Sequence, residues 1–253
     1  MTLEIAGLVV AAFFAGFVDA VAGGGGMIQV PALLGALPEA PTATLFGTNK
    51  IASIFGTASA TWRYLRRIAV PWRLVGPAAL MAFAFSFVGA ASVAWFPAAV
   101  VRPVVVVMLV GVILYTLAQP HMGLEGGRAI FRSGERGWGM AFGALMGFYD
   151  GFFGPGTGSF LIFGFVRAVG MDFLRASASA KVVNLATNAA ALSFFIPTGH
   201  VLWMVGLAMA VTNVAGAQLG ARVALRGGSA WVRRFFLGIS IALVIKVGLD
   251  LFR

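Results

Sequence analysis

Residues 16–31 read Gly-Phe-Val-Asp-Ala-Val-Ala-Gly-Gly-Gly-Gly-Met-Ile-Gln-Val-Pro, so an ionisable Asp19 sits inside an apolar run that four consecutive glycines then break. Both choices are expensive in an ordinary helix: a glycine costs about 1 kcal/mol relative to alanine, and a charge removed from water needs a partner. The pattern returns at 147–160, Gly-Phe-Tyr-Asp-Gly-Phe-Phe-Gly-Pro-Gly-Thr-Gly-Ser-Phe, with Gly16 matched by Gly147, Asp19 by Asp150, Gly23 by Gly154 and Gly25 by Gly156. All the matches share one offset of 131 residues in a chain of 253, and the register continues without a gap, Lys50 falling on Lys181 and Gly89-Ala90 on Gly220-Ala221. The chain is therefore read as two copies of one plan.

The solvent for that plan follows from composition. Apolar residues make up 60% of the chain and charged residues 10%, and the mean hydropathy is +0.96, far from the soluble average. This predicts an all-α polytopic membrane protein. The first run leads straight into the glycine motif and carries Asp19, unlike the core of a cleavable signal. The net charge of +10 does not point to nucleic acid, because the arginines lie mainly at the ends of apolar segments, where positive-inside topology explains them. The three lysines, Lys50, Lys181 and Lys246, instead lie within apolar segments.

Apolar runs fall at 5–22, 27–37, 42–64, 73–95 and 99–118, and again at 138–153, 158–170, 174–196, 201–225 and 231–252. A bilayer core needs roughly 20 apolar residues of helix, so 27–37 and 158–170 are too short to cross. Each is read as the second arm of a hairpin turned by the glycines. The loops at 63–73 (Arg63, Arg66, Arg67, Arg73), 119–136 (Arg128, Arg132, Arg136) and 222–234 (Arg222, Arg226, Arg233, Arg234) belong inside, and the nearly uncharged 95–99 and 197–200 outside. All five fall on their expected sides only if each hairpin leaves on the side it entered. Arg102 is the one dissenting charge. Equivalent loops then lie on opposite sides, which makes the halves an inverted repeat, each a re-entrant hairpin followed by three transmembrane helices. The halves are 1–122 and 137–253, joined by a cytoplasmic linker at 123–136, with both termini periplasmic.

Asp19, Asp150, Lys50 and Lys181 each carry a charge that costs about 2.5–3.5 kcal/mol at a helix centre. One reading is two structural Asp–Lys pairs, one per half. The other is that the lysines line an anion site while the aspartates hold the hairpins or couple an ion. At the hairpin tips, 23–26 and 154–158, glycine lets the backbone approach a ligand, and the helix that follows offers free N–H groups and a positive dipole end. Close helix packing through small residues is the alternative. The candidate substrate-binding residues are Gly24, Gly25, Gly26, Met27, Gln29, Asn49 and Lys50 in the first half and Gly156, Thr157, Gly158, Ser159, Lys181 and Asn184 in the second, with Asp19 and Asp150 coupling an ion or holding the hairpins. Thr48, Asn188, Asn213 and Gln218 form a second tier, and Lys246 is read as snorkelling or paired with Asp250.

Enzyme chemistry finds no support. The absence of cysteine removes thiol catalysis and thiolate metal sites, His121 and His200 sit at loops, and no phosphate-loop or His-Glu-x-x-His pattern occurs. No metal, catalytic residue or cofactor is expected beyond a coupling H+ or Na+.

The motifs at 16–26, with Val30-Pro31, and at 147–158, together with Gly-Ala-Gln-Leu-Gly-Ala-Arg at 216–222, resemble those of the sulfite exporter TauE/SafE family, also called the 4-toluene sulfonate uptake permease family. The resemblance implies a bacterial inner-membrane permease of about eight membrane helices, with sulfite, organosulfonates or related sulfur oxyanions as substrates. The expected function is thus secondary transport of a small anion by alternating access; a passive anion channel and a non-transporting scaffold are the alternatives. Expected partners are the anion, the lipid bilayer and a second copy in a homodimer, without nucleic acid.

Overall fold

The computed structural model describes residues 2–95 and 134–251, with backbone only beyond Phe235. The 99–118 run, the 95–99 loop, the linker arginines Arg128 and Arg132, Arg102, His121, and the side chains of Lys246 and Asp250 lie outside the described residues. Within them the structure is helical throughout: α1 (Thr2–Ala22), α2 (Gly26–Ala36), α3 (Thr42–Leu65), α4 (Trp72–Ala94), α5 (Glu135–Phe152), α6 (Thr157–Val169), α7 (Phe173–Phe195) and α8 (Trp203–Leu251). The last is interrupted at Gly228, whose φ of 72° is not helical.

The 131-residue register recurs in the positions where helices begin. Helices α2 and α6, α3 and α7, and α4 and α8 each begin 131 residues apart. Glu4–Ala22, Trp72–Val93 and Trp203–Gly228 are long and apolar enough to cross a membrane, whereas Gly26–Ala36 and Thr157–Val169 are short apolar helices. Each short helix follows a glycine break, and α2 folds back on α1, so that a Cβ on Gly25 would meet Ala15 and Asp19.

The most extensive helix contacts, α4 with α5 and α1 with α8, exchange under the same offset. They are close for the same reason. A Cβ on Gly16 would lie 2.1 Å from the Asn213 carbonyl oxygen, and one on the equivalent Gly147 would lie 2.3 Å from that of Ala82. Backbone meets backbone at these positions, so Gly147→Ala forces the helices apart. Overpacking of this kind costs about 1–3 kcal/mol, and the melting temperature should fall by about 5 °C. Gly137, with open space at its Cβ, is the control, and its alanine variant should melt no lower than wild type.

Contacts also set the directions of the helices. Along α3 and α8, Thr48 bonds Leu202, Gly56 abuts Asn213 and Arg63 bonds Gln218, so the two run parallel. Helix α1 runs the same way, through Val9 with Thr212 and Phe17 with Gly220. Helices α4 and α5 run parallel to each other, through Leu74 with Gly139 and Ser86 with Gly151. Helix α7 is antiparallel to its repeat equivalent α3: Thr44 reaches His200 at one end, and Thr61 reaches the Lys181 carbonyl toward the other. One end of the bundle therefore gathers Arg63 and Arg222, and the opposite end holds the 197–200 loop.

Polar residues occupy the middle of α3 and α7, with apolar clusters on either side. One cluster includes Ala60, Tyr64, Phe165, Phe173 and Val183; the other includes Phe46, Ile51, Phe153, Ala191 and Phe195. Asn49, Lys50, Ser53 and Thr57 of α3 and Asn184 and Asn188 of α7 lie in the stretch between them. The unusual cost of polar side chains in an apolar bundle is thus concentrated in one layer.

Candidate functional site

The first hairpin turns at Gly23, which has a φ of 77° and an N–H that donates to the Asp19 carbonyl at 2.9 Å. Gly154 and Gly156, with φ of 91° and 85°, turn the second. The two tips meet. The Ser159 N–H donates to the Gly23 carbonyl at 3.2 Å, and the Ser159 hydroxyl donates to the Ala22 carbonyl at 2.8 Å. The breaks that leave backbone groups unpaired within each hairpin thereby pair some of them between hairpins, as non-helical backbone inside a membrane protein requires.

The intramembrane charges pair across the halves. The Lys50 ammonium lies 2.5 Å from an Asp150 carboxylate oxygen, with side chains 4% and 3% exposed. Lys181 lies 3.1 Å from the Asp19 carboxylate and also donates to the Asp19 backbone carbonyl. Of the two readings, that of one pair within each half is corrected: each lysine pairs with the aspartate of the other half. The cause is the packing. Antiparallel α3 and α7 carry each lysine toward the opposite hairpin, and the offset leaves the two pairs related by exchange of the halves. The pairs are not identical, for Asp19 keeps 17% exposure where Asp150 is dry.

Where the tips and pairs converge there is a cavity of about 20 Å³, room for roughly one water molecule. Its lining includes Asp19, Gly25, Gly26, Gln29, Asn49, Lys50, Asp150, Gly158 and Asn184 from the predicted set. Gly24, Met27, Gly156, Thr157, Ser159 and Lys181 are not in the lining. Three of them make contacts nearby: the Thr157 hydroxyl donates to the Gly154 carbonyl at 2.8 Å, the Ser159 hydroxyl donates to the Ala22 carbonyl of the other tip, and Lys181 pairs with Asp19. The boundaries are also sharper than expected, since Gly158 lies in the first turn of α6 rather than in the loop.

Ser53 and Thr57 also line the cavity and escaped the sequence reading. Their signal was present, because the repeat offset places them on Asn184 and Asn188, and with Asn49 they recur every fourth residue on one face of α3. Asn188 and Asn213, of the second tier, belong to the lining as well.

The free N–H groups expected at the hairpin helices are only partly free. Met27, Ile28 and Gln29 donate to the carbonyls of Gly24 and Gly25, and Thr157 and Phe160 to those of Gly154 and Gly156. The N–H groups of Gly25, Gly26 and Gly158 have no backbone acceptor among the described residues, and all three residues line the cavity. Gln29 adds a donor: it is fully buried, its Oε1 accepts from Asn213 at 3.2 Å, and its Nε2 has no partner among the described residues. A buried unpaired donor costs about 1–3 kcal/mol. Gln29→Leu should therefore leave the melting temperature within about 3 °C of wild type, or raise it, while weakening ligand binding at least tenfold in a thermal-shift titration.

An apolar helical bundle enclosing one layer of ion pairs, amides and unpaired N–H groups where two broken helices meet has the architecture of a polytopic membrane transporter. Comparison with known proteins makes this more specific. The family model described as "Sulfite exporter TauE/SafE" matches residues 8–247, and the chain belongs to that family. It is 39% identical over 246 residues to "Probable membrane transporter protein ORF9" of Sinorhizobium sp., covering 97% of this chain and 93% of that one. It is 34% identical over 238 residues to "Probable membrane transporter protein" of Haemophilus influenzae, covering 94% and 92%. With "Probable membrane transporter protein YfcA" of Escherichia coli K12 it shares 35% identity over 243 residues, covering 94% and 87%. No solved structure gives a significant match. The family and these relatives are named for transport rather than for catalysis.

Proposed function

We propose that this protein is a secondary transporter that moves a small anion, a sulfite, organosulfonate or related sulfur oxyanion, across the bacterial inner membrane by alternating access. The observation that carries the reading is the set of unpartnered donors on the cavity wall, the N–H groups of Gly25, Gly26 and Gly158 and the Gln29 amide, beside the Lys50 ammonium. A tetrahedral or pyramidal oxyanion has acceptors on several sides and little need for donors from its host. It answers each of those groups, and the N-terminal ends of α2 and α6 add favourable dipoles.

The anion competes with Asp19 and Asp150 for the lysines, so a coupling ion has a defined task. H+ or Na+ at a carboxylate removes the competitor and frees the lysine for substrate. Asp19, the more exposed of the two, is the natural place for it to act. Two inverted halves with periplasmic termini fit the helix directions, since α1, α3 and α8 run parallel while α3 and its equivalent α7 run antiparallel. The apolar clusters on either side of the polar layer then serve as two gates. The cavity of about 20 Å³ is too small for the whole anion, so the substrate enters when one gate opens.

The test is a thermal-shift screen of the purified protein against sulfite, sulfate, thiosulfate, sulfoacetate, taurine and simple carboxylates, followed by flux assays in proteoliposomes. A sulfur oxyanion at 100 times its Kd should stabilise the protein by about 2.7 kcal/mol, and its uptake should saturate and respond to an imposed proton or sodium gradient. Stabilisation by carboxylates alone would overturn the substrate class. Ohmic current indifferent to both gradients would make the protein a passive anion channel.

A further inference from the structure

At the end of the bundle away from His200, α3 and α8 bring together arginines that no acid among the described residues neutralises. Arg63, half-buried in the last turn of α3, donates from Nε to the Gln218 side-chain oxygen at 2.7 Å and from Nη2 to the same oxygen. Gln218 in turn donates to the Ser59 hydroxyl. The Arg63 guanidinium is thus held in place by a neutral relay, and its charge is not cancelled. Arg67 lies four residues beyond Arg63 and Arg222 four beyond Gln218, which places both at the same end, and Arg63 feels the charge of each. The ion pairs of Lys50 and Lys181 lie elsewhere, and none of these three arginines has a carboxylate partner among the described residues. Mutually repelling guanidinium groups gathered at one end, one of them held by its bonds to Gln218, favour an anion between them, and the planar fork of arginine suits phosphate oxygens.

The surroundings identify the kind of anion. Trp62 is 56% exposed and carries the Arg66 guanidinium over its ring at 4.4 Å. Leu65, three residues beyond Trp62 on the same helix, and Leu219, next to Gln218, are exposed at 38% and 45%, and Leu219 shares the Arg222 face of α8 at a spacing of three residues. A free oxyanion has no use for exposed Trp and Leu. An amphiphile with a phosphate head and acyl tails matches both parts, and an aromatic ring at the boundary is characteristic of the level where headgroups lie.

We propose that Arg63, Arg67 and Arg222 form a binding site for the headgroup of an anionic phospholipid, whose chains lie along Trp62, Leu65 and Leu219. The site is separate from the central cavity, whose lining includes none of these residues. It clamps α3 to α8 at one end of the bundle, so lipid occupancy stabilises that contact.

The test compares the full-length protein in detergent supplemented with dioleoylphosphatidylglycerol, with dioleoylphosphatidylcholine, or with inorganic phosphate. The anionic lipid should raise the melting temperature by at least about 4 °C more than the zwitterionic one, and inorganic phosphate should give no comparable rise. The exposed double variant Arg67→Gln with Arg222→Gln should lose the difference between the lipids while melting like wild type in phosphatidylcholine. Arg73→Gln removes one charge outside the cluster and should keep the difference. Native mass spectrometry of the wild type with both lipids at equal concentration should show phosphatidylglycerol retained in preference. Equal stabilisation or equal retention of the two lipids would overturn the proposal, as would a full lipid difference in the double variant. A rise with inorganic phosphate matching that with phosphatidylglycerol would show a free-anion site instead.

Discussion

Lys50→Met should abolish transport and lower the melting temperature by about 10 °C, because it strands the Asp150 carboxylate, 3% exposed, without its cation. Removing one member of a buried ion pair costs about 3–5 kcal/mol, and replacing both members with neutral groups is often neutral or stabilising. Lys50→Met combined with Asp150→Asn should therefore recover most of the lost stability and none of the transport. Charge exchange separates pairing across the halves from pairing within one. Lys50→Asp with Asp150→Lys restores an attractive pair and should fold. Asp19→Lys with Lys50→Asp sets a lysine beside Lys181 and an aspartate beside Asp150, two repulsive contacts in place of two attractive ones, and should be recovered poorly from membranes. Melting temperatures and size-exclusion profiles in detergent read the first question, and proteoliposome uptake reads the second. A fully active Lys50→Met/Asp150→Asn protein would remove the lysine from the substrate path and leave it a structural role.

The second large effect is expected at the meeting of the tips. Gly23 has a positive φ, and a Cβ there would lie 2.3 Å from the Gly158 carbonyl carbon, so Gly23→Ala combines backbone strain with a clash against backbone. Neither neighbour is a flexible side chain that can swing away. Strain in that region of conformational space costs about 1–3 kcal/mol, and relief requires the two hairpins to separate, breaking the bonds from Ser159 to Gly23 and Ala22. Transport should fall by at least tenfold, with a drop in melting temperature of about 5 °C. Gly35, in α2 with open space at its Cβ, provides the comparison within the same hairpin; its alanine variant should transport normally. Equal behaviour of the two variants would mean that the tips do not need to touch.

Much of this was legible in the chain because it is local. A glycine run breaks a helix wherever it lies, so the hairpins at residues 23–25 and 153–156 could be read directly. The apolar runs read from 158, 174 and 201 correspond to helices that begin at Thr157, Phe173 and Trp203, each 131 residues after its counterpart. Gln29, Asn49, Lys50 and Asn184 could be nominated because polar side chains in an apolar run are costly enough to need a reason. Ser53 and Thr57 were missed because a hydroxyl in a membrane helix is cheap, bonding readily to its own backbone. Thr157 and Ser159 were nominated as donors without their acceptors, which the fold supplies as the Gly154 and Ala22 carbonyls.

The choice of partner for each aspartate was beyond the sequence. Asp19 precedes Lys50 by the same interval that separates Asp150 from Lys181, so pairing within a half and pairing across the halves are equally consistent with the repeat. The interval along the chain favours the first, and the fold selects the second, joining residues 100 and 162 positions apart. Local torsional preference and the energetic penalty of isolated charge in an apolar run determined that there are two broken hairpins and four ions seeking partners. Only the antiparallel packing of α3 against α7 decided which ions meet, because that is settled by which helix backbones can approach closely.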